Sequence, residues 1–219
     1  MHGIDYLPLM TQIPDSTSKR LEILNTFRQF WYPDQPPADV LPVSISVTET
    51  QLEIKLPIAL IEWHRQVWPT SMTDVKRGRI LPLNELYFTN EMLIVRKQPV
   101  FNGIVMANWG IHIDRLNEDD PPVESIIYKR RNRVSENLST FALYCAAYDT
   151  TDKFAGNNAE QLEGSLPEDA IKMDFPDSFG VIETAIYEGR NWIALTSGSS
   201  IYLRRRDPAT GKQEFLIRK

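Results

Sequence analysis

Cysteine is almost missing from this sequence: among 219 residues there is only Cys145. A lone cysteine cannot form an intramolecular disulfide, and disulfide frameworks are typical of small proteins in oxidising compartments. The chain is 42% hydrophobic and contains 5 Trp, 8 Tyr and 9 Phe. It can therefore fill a core without covalent crosslinks, and the composition favours a folded protein of the reducing cytoplasm.

Long apolar runs and targeting signals are missing as well. The first ten residues, MHGIDYLPLM, do not contain the basic segment and the apolar stretch that form a secretory signal. No apolar run in the sequence approaches the roughly 18 residues of a membrane-spanning helix. We therefore expect neither export nor membrane insertion.

Positive charge is in deficit, with 24 Lys and Arg against 29 Asp and Glu, a net charge of −5. Nucleic-acid binding depends on basic groups that displace counterions from phosphates, so a nucleic-acid ligand is disfavoured. The negative charge is concentrated in residues 149–188, which carry a net charge of −8, whereas residues 189–219 are mainly basic. The acidic stretch is either ordinary solvated surface or a docking face for a basic partner.

Three helices are predicted where apolar residues recur at helical spacing. They cover Ser16–Trp31, a segment from Pro57 to Trp68 with Ile58, Ile61 and Trp68 on its core face, and a segment after Ser135 with Leu138, Phe141, Cys145 and Tyr148 on its apolar face.

Strands are predicted where apolar and polar residues alternate. They cover residues 43–47, 52–56, 92–96 and 104–113 and a C-terminal β-meander over 186–218, while the acidic and proline-rich residues 117–122 form a loop. Since strands are grouped and do not alternate strictly with helices, the expected fold class is α+β. We expect a mixed, mainly antiparallel β-sheet flanked by helices, in a single domain over residues 1–219.

Motifs of catalysis and cofactor binding are absent: the sequence has no GxGxxG, GxxxxGK[ST], HExxH, GxSxG or CxxC. We therefore expect no cofactor and no metal. His112 and Asp114 alternate on a predicted strand and could share a metal or a proton, and the acids at 118–120 are alternative partners for His112; the other interpretation of His112 is a packed histidine. His64 and Cys145 are interpreted as structural residues of two helices.

Four stretches share the order and spacing of motifs of one family. LPIALIEWHRQVW supplies Leu56, Pro57, Leu60 and Trp63; QPVFNGIVMANWGI and DDPPV supply Gln98, Trp109, Gly110, Ile111, Asp120, Pro121, Pro122 and Val123; and ENLSTFALYCAAYD supplies Ser139 and Phe141. With the terminal hairpins, these motifs resemble the SUKH superfamily over residues 56–148 and 185–206. That superfamily groups the yeast Smi/Knr-type cell-wall-assembly regulator with many bacterial immunity proteins.

The resemblance implies a mixed sheet flanked by helices that serves as a protein-binding scaffold. In bacterial members this scaffold neutralises a cognate secreted toxin, often a nuclease, and the family has no established catalytic set. One departure concerns Gln98. In many members this glutamine belongs to an acidic E-N-Q trio, whereas here Arg96 and Lys97 precede it, so a role for that acid does not transfer.

The working hypothesis is a cytoplasmic immunity protein that binds a basic toxin domain and occludes it. The expected partner-binding residues lie in the loop, on the strand before it and in the acidic stretch: Trp109, Asp114, Glu118, Asp119, Asp120, Glu160 and Glu163. One alternative is a regulatory scaffold in cell-wall or stress signalling. The other is an enzyme that uses His112 with Asp114 or the nearby acids.

Overall fold

The structure is a computed structural model. It describes residues 13–31, 41–66, 79–97, 100–101, 104–105, 108–127, 130–155, 159–161, 171–174, 184–189, 192–197, 200–206 and 213–218. The chain divides into two compact units, residues 15–143 and residues 1–14 with 144–219. Each unit is described by itself, and a single domain over residues 1–219 stays a prediction.

Helix α1, Thr17–Trp31, confirms the first predicted helix. Its Leu24 and Phe27 are buried, as their spacing on one face predicts. The amide of Arg20 donates to the carbonyl of Ser16 at 3.0 Å, which makes Ser16 the residue at which the helical hydrogen bonds begin.

Helix α2, Pro42–Leu52, occupies the segment where the alternating pattern predicts a strand at 43–47, and residues 53–56 form a turn and irregular backbone where it predicts a strand at 52–56, so both predictions are wrong. Pro42 fits the first helical turn, where its missing N–H costs nothing. Val43 is 61% exposed and Val47 is also exposed, so the alternating valines do not mark a buried face. The helix ends at Glu53, which has the left-handed φ of 56° and donates its amide to the carbonyl of Glu49.

Helix α3, Ile58–Gln66, follows Pro57 and confirms the second predicted helix, but its predicted core face is wrong. Ile58 is 54% exposed and Ile61 is half-buried, while Trp68 lies outside the described residues. The buried residues of the helix are Ala59, Leu60, Trp63 and His64. Helix α4, Leu138–Ala155, confirms the third predicted helix and buries Leu138, Phe141 and Cys145; the side chain of Tyr148 lies outside the described ones.

The first unit contains a six-stranded antiparallel sheet and a separate two-stranded one. The strands are β1 Arg79–Ile80, β2 Tyr87–Thr89, β3 Met92–Lys97, β4 Val100–Phe101, β5 Ile104–Val105, β6 Asn108–His112, β7 Val123–Ile127 and β8 Arg130–Ser135. The large sheet has the order β1-β3-β6-β7-β8 with β2 paired to β3, and β4 pairs with β5. The predicted strand 92–96 is confirmed by β3, and the predicted strand 104–113 is confirmed in part: residues 108–112 form β6 and pair with β3, whereas residues 104–105 form β5 and pair with β4.

Short 3-10 turns at Leu83–Glu85 and Ile113–Arg115 connect these strands, and residues 117–122 form the predicted loop. The core contains the rings of Trp63, Trp109 and Phe141. The centroids of Trp63 and Phe141 are 5.8 Å apart in a T-shaped arrangement, and those of Trp109 and Phe141 are 6.4 Å apart. One aromatic cluster thus joins α3, β6 and α4.

The second unit contains a six-stranded sheet of β9 Ala159–Gln161, β10 Ile171–Asp174, β11 Thr184–Gly189, β12 Trp192–Ser197, β13 Ser200–Arg206 and β14 Gln213–Arg218. Successive strands from β10 to β14 pair in antiparallel fashion, which confirms the predicted C-terminal meander, while β9 pairs in parallel with β14. The whole is the predicted α+β fold. Among the described residues no helix is long and apolar enough to cross a membrane.

Candidate protein-binding surface

The residues that carry the family resemblance lie mainly in the core of the first unit. The buried ones are Leu56, Pro57, Leu60, Trp63, Trp109, Gly110, Ile111, Pro121, Pro122, Val123 and Phe141, whereas Gln98 lies outside the described residues. The amide of Ala59 donates to the carbonyl of Asp119 at 2.8 Å, so the start of α3 and the 117–122 loop are adjacent. The motifs therefore specify packing and do not themselves form a binding surface.

Trp109, one of the expected partner-binding residues, lies in β6 and its side chain is buried. Its ring lies 6.4 Å from that of Phe141, and the guanidinium carbon of Arg96 lies 5.9 Å from the Trp109 ring centroid. Arg96 and Trp109 are also partners in the β3–β6 register. The indole is a core residue and does not present an anchor to a partner.

Asp120 is also an internal residue, because its carboxylate is the centre of a polar network. It accepts hydrogen bonds from the amide and hydroxyl of Ser139 at 2.8 and 2.5 Å, from the hydroxyl of Thr17 at 2.7 Å and from the guanidinium of Arg20 at 2.9 Å. Since Ser139 lies in the first turn of α4, the carboxylate also caps that helix.

The pKa of Asp120 reflects these contacts. Burial of the carboxyl group raises the pKa, but the hydrogen bonds from Ser139, Thr17 and Arg20 outweigh burial and hold the pKa below its ordinary value. The ionised form is therefore the one that the network stabilises.

Exposed acids remain at the corner between β6 and the 117–122 loop. We define the acidic corner as Glu91, Ile113, Asp114, Glu118 and Asp119. The side chains of Glu91 and Asp114 are 74% and 81% exposed, that of Glu118 is 42% exposed, and Asp119 is exposed. Ile113, 46% exposed, is an apolar residue among these carboxylates.

Backbone hydrogen bonds fix the shape of the acidic corner. The amide of Ile113 donates to the carbonyl of Glu91 at 2.9 Å, and the amide of Glu118 donates to the carbonyl of Arg115 at 3.1 Å. Leu116, between the exposed residues, is buried and its amide donates to the carbonyl of Ile113 at 3.3 Å. The exposed side chains therefore project from an ordered turn.

Glu91 belongs to the corner although the sequence pattern did not indicate it. Asn90 and Glu91 have φ values of 48° and 61° and form the two-residue turn between β2 and β3. Asn-Gly is the usual signal for such a hairpin turn. With Glu91 in the glycine position that signal is missing, and only the strand pairing brings Glu91 beside Ile113.

Charged neighbours surround the corner. Arg115, within the turn, forms an ion pair with Glu118, whereas the contacts of Glu91 and Asp114 with charged groups are longer. The Nδ1 atom of His112 lies 3.5 Å from the Asp114 carboxylate and its Nε2 atom lies 3.8 Å from Glu91. Arg131 lies 3.6 Å from Glu91 and donates to the carbonyl of Asn90 at 2.8 Å. Exposed pairs at such distances contribute little to stability, so the carboxylates of Glu91 and Asp114 remain accessible to a partner.

The structure brings His112 and Asp114 together, as the enzyme hypothesis requires. However, each ring nitrogen of His112 faces a different carboxylate, and Cys145 is buried. Among the described residues no group of three or more His, Cys, Asp or Glu side chains could hold a metal ion. Of the remaining predicted contacts, Glu160 lies in β9, with a side chain outside the described ones, and Glu163 lies outside the described residues.

The chain matches no protein-family model, no curated protein and no solved structure. The resemblance to the SUKH superfamily therefore rests on the sequence motifs alone. The acidic corner is the surface from which a function can be proposed.

Proposed function

We propose that this protein is a cytoplasmic immunity protein of the SUKH type, which binds a basic toxin domain through the acidic corner and occludes it. The observation that carries the proposal is the arrangement of accessible carboxylates around the exposed Ile113 on a hydrogen-bonded turn. Asp114, Glu118 and Asp119 of the expected contacts belong to this surface, and Glu91 is added to them. Trp109 and Asp120 are left out because they are internal.

Two physical effects support binding by such a surface. Exposed carboxylates attract a positively charged partner over about 8–10 Å at physiological salt and so accelerate encounter. An apolar side chain at the centre of a polar rim loses its hydration when the partner covers it, which slows dissociation. The net charge of −5 acts in the same direction.

Occlusion requires no chemistry from the immunity protein. A basic nuclease has to keep its positively charged surface open to phosphates. Carboxylates at the acidic corner would occupy that surface and also exclude the substrate sterically. The affinity should then fall as ionic strength rises.

Growth rescue tests the proposal. The toxin domain encoded beside this gene is expressed alone and together with the wild-type chain, and the affinity of the purified pair is measured at low and at physiological salt. We expect rescue by the wild type and an association rate reduced roughly tenfold in Asp114→Asn/Glu118→Gln. The matched control Glu22→Gln/Glu53→Gln removes the same charge from exposed sites on α1 and after α2 and should bind like the wild type.

Two outcomes would contradict the proposal. If the neighbouring gene encodes no toxin domain that this protein binds and neutralises, the immunity function is wrong. If rescue occurs but both double variants bind equally well, the function holds and the acidic corner is not the binding surface.

The enzyme hypothesis is a second candidate, favoured by the 3.5 Å approach of His112 to Asp114. The two functions differ in what His112→Ala does. An enzyme that uses His112 as a base would lose its activity, whereas an occluding immunity protein would keep binding its toxin with an affinity within severalfold of the wild type.

A further inference from the structure

His64 is a fully buried histidine whose two ring nitrogens both face backbone carbonyl oxygens. Its Nδ1 atom lies 2.8 Å from the carbonyl oxygen of Leu60, one turn earlier in α3, and its Nε2 atom lies 2.9 Å from the carbonyl oxygen of Leu81. Leu81 follows β1 directly and donates its amide to the carbonyl of Val95 in β3 at 2.9 Å. The ring thus connects α3 with the edge of the sheet.

A carbonyl oxygen only accepts hydrogen bonds, so the number of protons on the ring decides how many of these two contacts are hydrogen bonds. A neutral imidazole carries one N–H and bonds one carbonyl at a time. In the Nε2–H tautomer the ring donates to the carbonyl oxygen of Leu81 and connects α3 to the residue after β1. In the Nδ1–H tautomer the ring donates to the carbonyl oxygen of Leu60 within the helix. Only the imidazolium satisfies both carbonyls at once.

Within the part of the chain that the structure describes, no carboxylate forms an ion pair that would compensate an imidazolium at this position. The charged groups on the elements around the ring are Glu62 and Arg65 of α3, Arg79 of β1 with its partner Glu85, Arg96 and Lys97 of β3, and Lys19, Arg20, Glu22 and Arg28 of α1, which packs against α3. Glu62 pairs with Arg65 and Glu85 with Arg79, and no described carboxylate forms an ion pair with His64. Arg96 of β3 is itself a buried cation.

The cost of removing an uncompensated cation from water exceeds what one additional carbonyl bond returns. The pKa of His64 agrees in direction, because burial lowers it and the carbonyls of Leu81 and Leu60 raise it by less. The ring is therefore neutral while it is buried, and it takes up a proton only when it reaches water.

We infer that His64 is an acid-sensitive latch: the neutral Nε2–H ring holds the C-terminal half of α3 against the segment after β1, and protonation opens this contact. Opening would expose the ring together with its neighbour Trp63, whose ring centroid lies 6.2 Å from that of His64. The fold would then carry a local transition, below the pH range in which an ordinary histidine titrates, that is separate from global unfolding and independent of what the acidic corner binds.

Nitrogen-15 NMR of the imidazole rings combined with amide hydrogen exchange tests the latch in the full-length chain. At neutral pH we expect one neutral His64 tautomer with its proton on Nε2. As the pH falls below the range in which an ordinary histidine titrates, the amides of Trp63, His64 and Leu81 should begin to exchange together, at least tenfold faster than at neutral pH. His112 is a histidine of the same chain with a partly exposed ring, and it serves as the comparison for His64.

The variant His64→Gln separates the latch from a merely structural role, because a glutamine amide can donate to a carbonyl but does not titrate. We expect it to fold and to lose the acid-induced exchange at α3, while the matched control His112→Gln retains that exchange. The inference would be overturned by an imidazolium at His64 at neutral pH, by a proton on Nδ1 only, or by an acid response of α3 that persists in His64→Gln.

Discussion

The guanidinium of Arg20 lies 2.9 Å from the carboxylate of Asp120, and the two side chains are only 5% and 10% exposed. Arg20 also donates to the hydroxyl of Ser139 at 2.6 Å. Helix α1, the 117–122 loop and the first turn of α4 therefore meet at one buried ion pair. This arrangement makes Asp120 a structural residue, although it lies beside the exposed Asp119.

Replacement of Asp120 tests this role. Asp120→Asn removes the charge that compensates Arg20, and breaking a buried pair by removing one partner costs about 3–5 kcal/mol. We expect a loss of that size in the free energy of unfolding, measured by urea denaturation. The control Asp119→Asn, at the exposed neighbour, should change the free energy by less than about 0.5 kcal/mol. Equal effects of the two variants would contradict the network.

The pH dependence of stability should contain the contribution of Asp120. Its pKa is lowered in the folded protein, so the folded state binds fewer protons than the unfolded state as pH falls. The stabilisation is complete above the unfolded pKa of about 3.9 and is lost as pH falls through the lower folded pKa. Denaturation curves between pH 6 and 3 should therefore show that the free energy of unfolding falls less steeply with decreasing pH in Asp120→Asn than in the wild type. If the free energy of unfolding fell equally steeply in both proteins, carboxylates other than Asp120 would account for the pH dependence.

Gly110 in β6 has no room for a side chain. A Cβ at this position would collide with the carbonyl oxygen of Leu93 in β3, a backbone atom that cannot turn away. Gly110→Ala should force β3 and β6 apart and lower the free energy of unfolding by about 3 kcal/mol. Thermal denaturation followed by circular dichroism measures this loss. An unchanged midpoint would mean that the two strands are farther apart than the structure has them.

Glu91 adopts a backbone conformation that glycine adopts more readily. With φ at 61° its Cβ is strained, and Glu91→Gly should raise the free energy of unfolding by roughly 0.5–1 kcal/mol. Under the proposed function the same variant should bind the toxin domain more weakly, since a carboxylate of the acidic corner is lost. Asn90→Gly is the control: asparagine tolerates this conformation, so its gain should be smaller and binding should not change. A lower free energy of unfolding in Glu91→Gly would show that the backbone conformation of Glu91 is not strained.

The helical conformation of residues 42–52 can be tested on its exposed valines. Val43→Ala/Val47→Ala removes two β-branched residues from exposed positions of α2, and alanine has the higher helix propensity. We expect the free energy of unfolding to stay equal or to rise by up to about 1 kcal/mol. Half-buried strand positions would instead lose about 2 kcal/mol or more. Chemical denaturation distinguishes the two results.

The helices at Thr17–Trp31, Ile58–Gln66 and Leu138–Ala155 could be predicted because their apolar residues recur at the period of a helix. The C-terminal meander could be predicted because each of its strands alternates between turn residues. Residues 42–52 could not be predicted correctly. Their alternating valines and isoleucine are equally typical of a half-buried strand, and only the absence of a pairing partner for this segment among the described residues distinguishes the two conformations.

The candidate surface shows the same division. The loop positions of Glu118 and Asp119 were predicted from the acidic and proline-rich sequence 117–122, whereas Asp114 was predicted on a strand and lies in the 3-10 turn Ile113–Arg115. Asp120 has the same chemistry as Asp119 and the opposite environment, because Arg20 and Ser139 approach it from elements distant in sequence. Glu91 reaches Ile113 only through the pairing of β3 with β6.

By itself the sequence determined the fold class, three helices, the terminal meander and the buried face of α4, because burial of apolar side chains at a fixed period is a local property of the chain. The tertiary structure decided which carboxylates are structural and which face solvent. It also set both ring nitrogens of His64 against carbonyl oxygens. In each case the neighbours come from distant parts of the chain: Leu81 is separated from His64 by 17 positions in the sequence, and Ser139 from Arg20 by 119. Such neighbours determine whether a polar side chain is charged and which hydrogen bonds it forms, and only the folded chain brings them together.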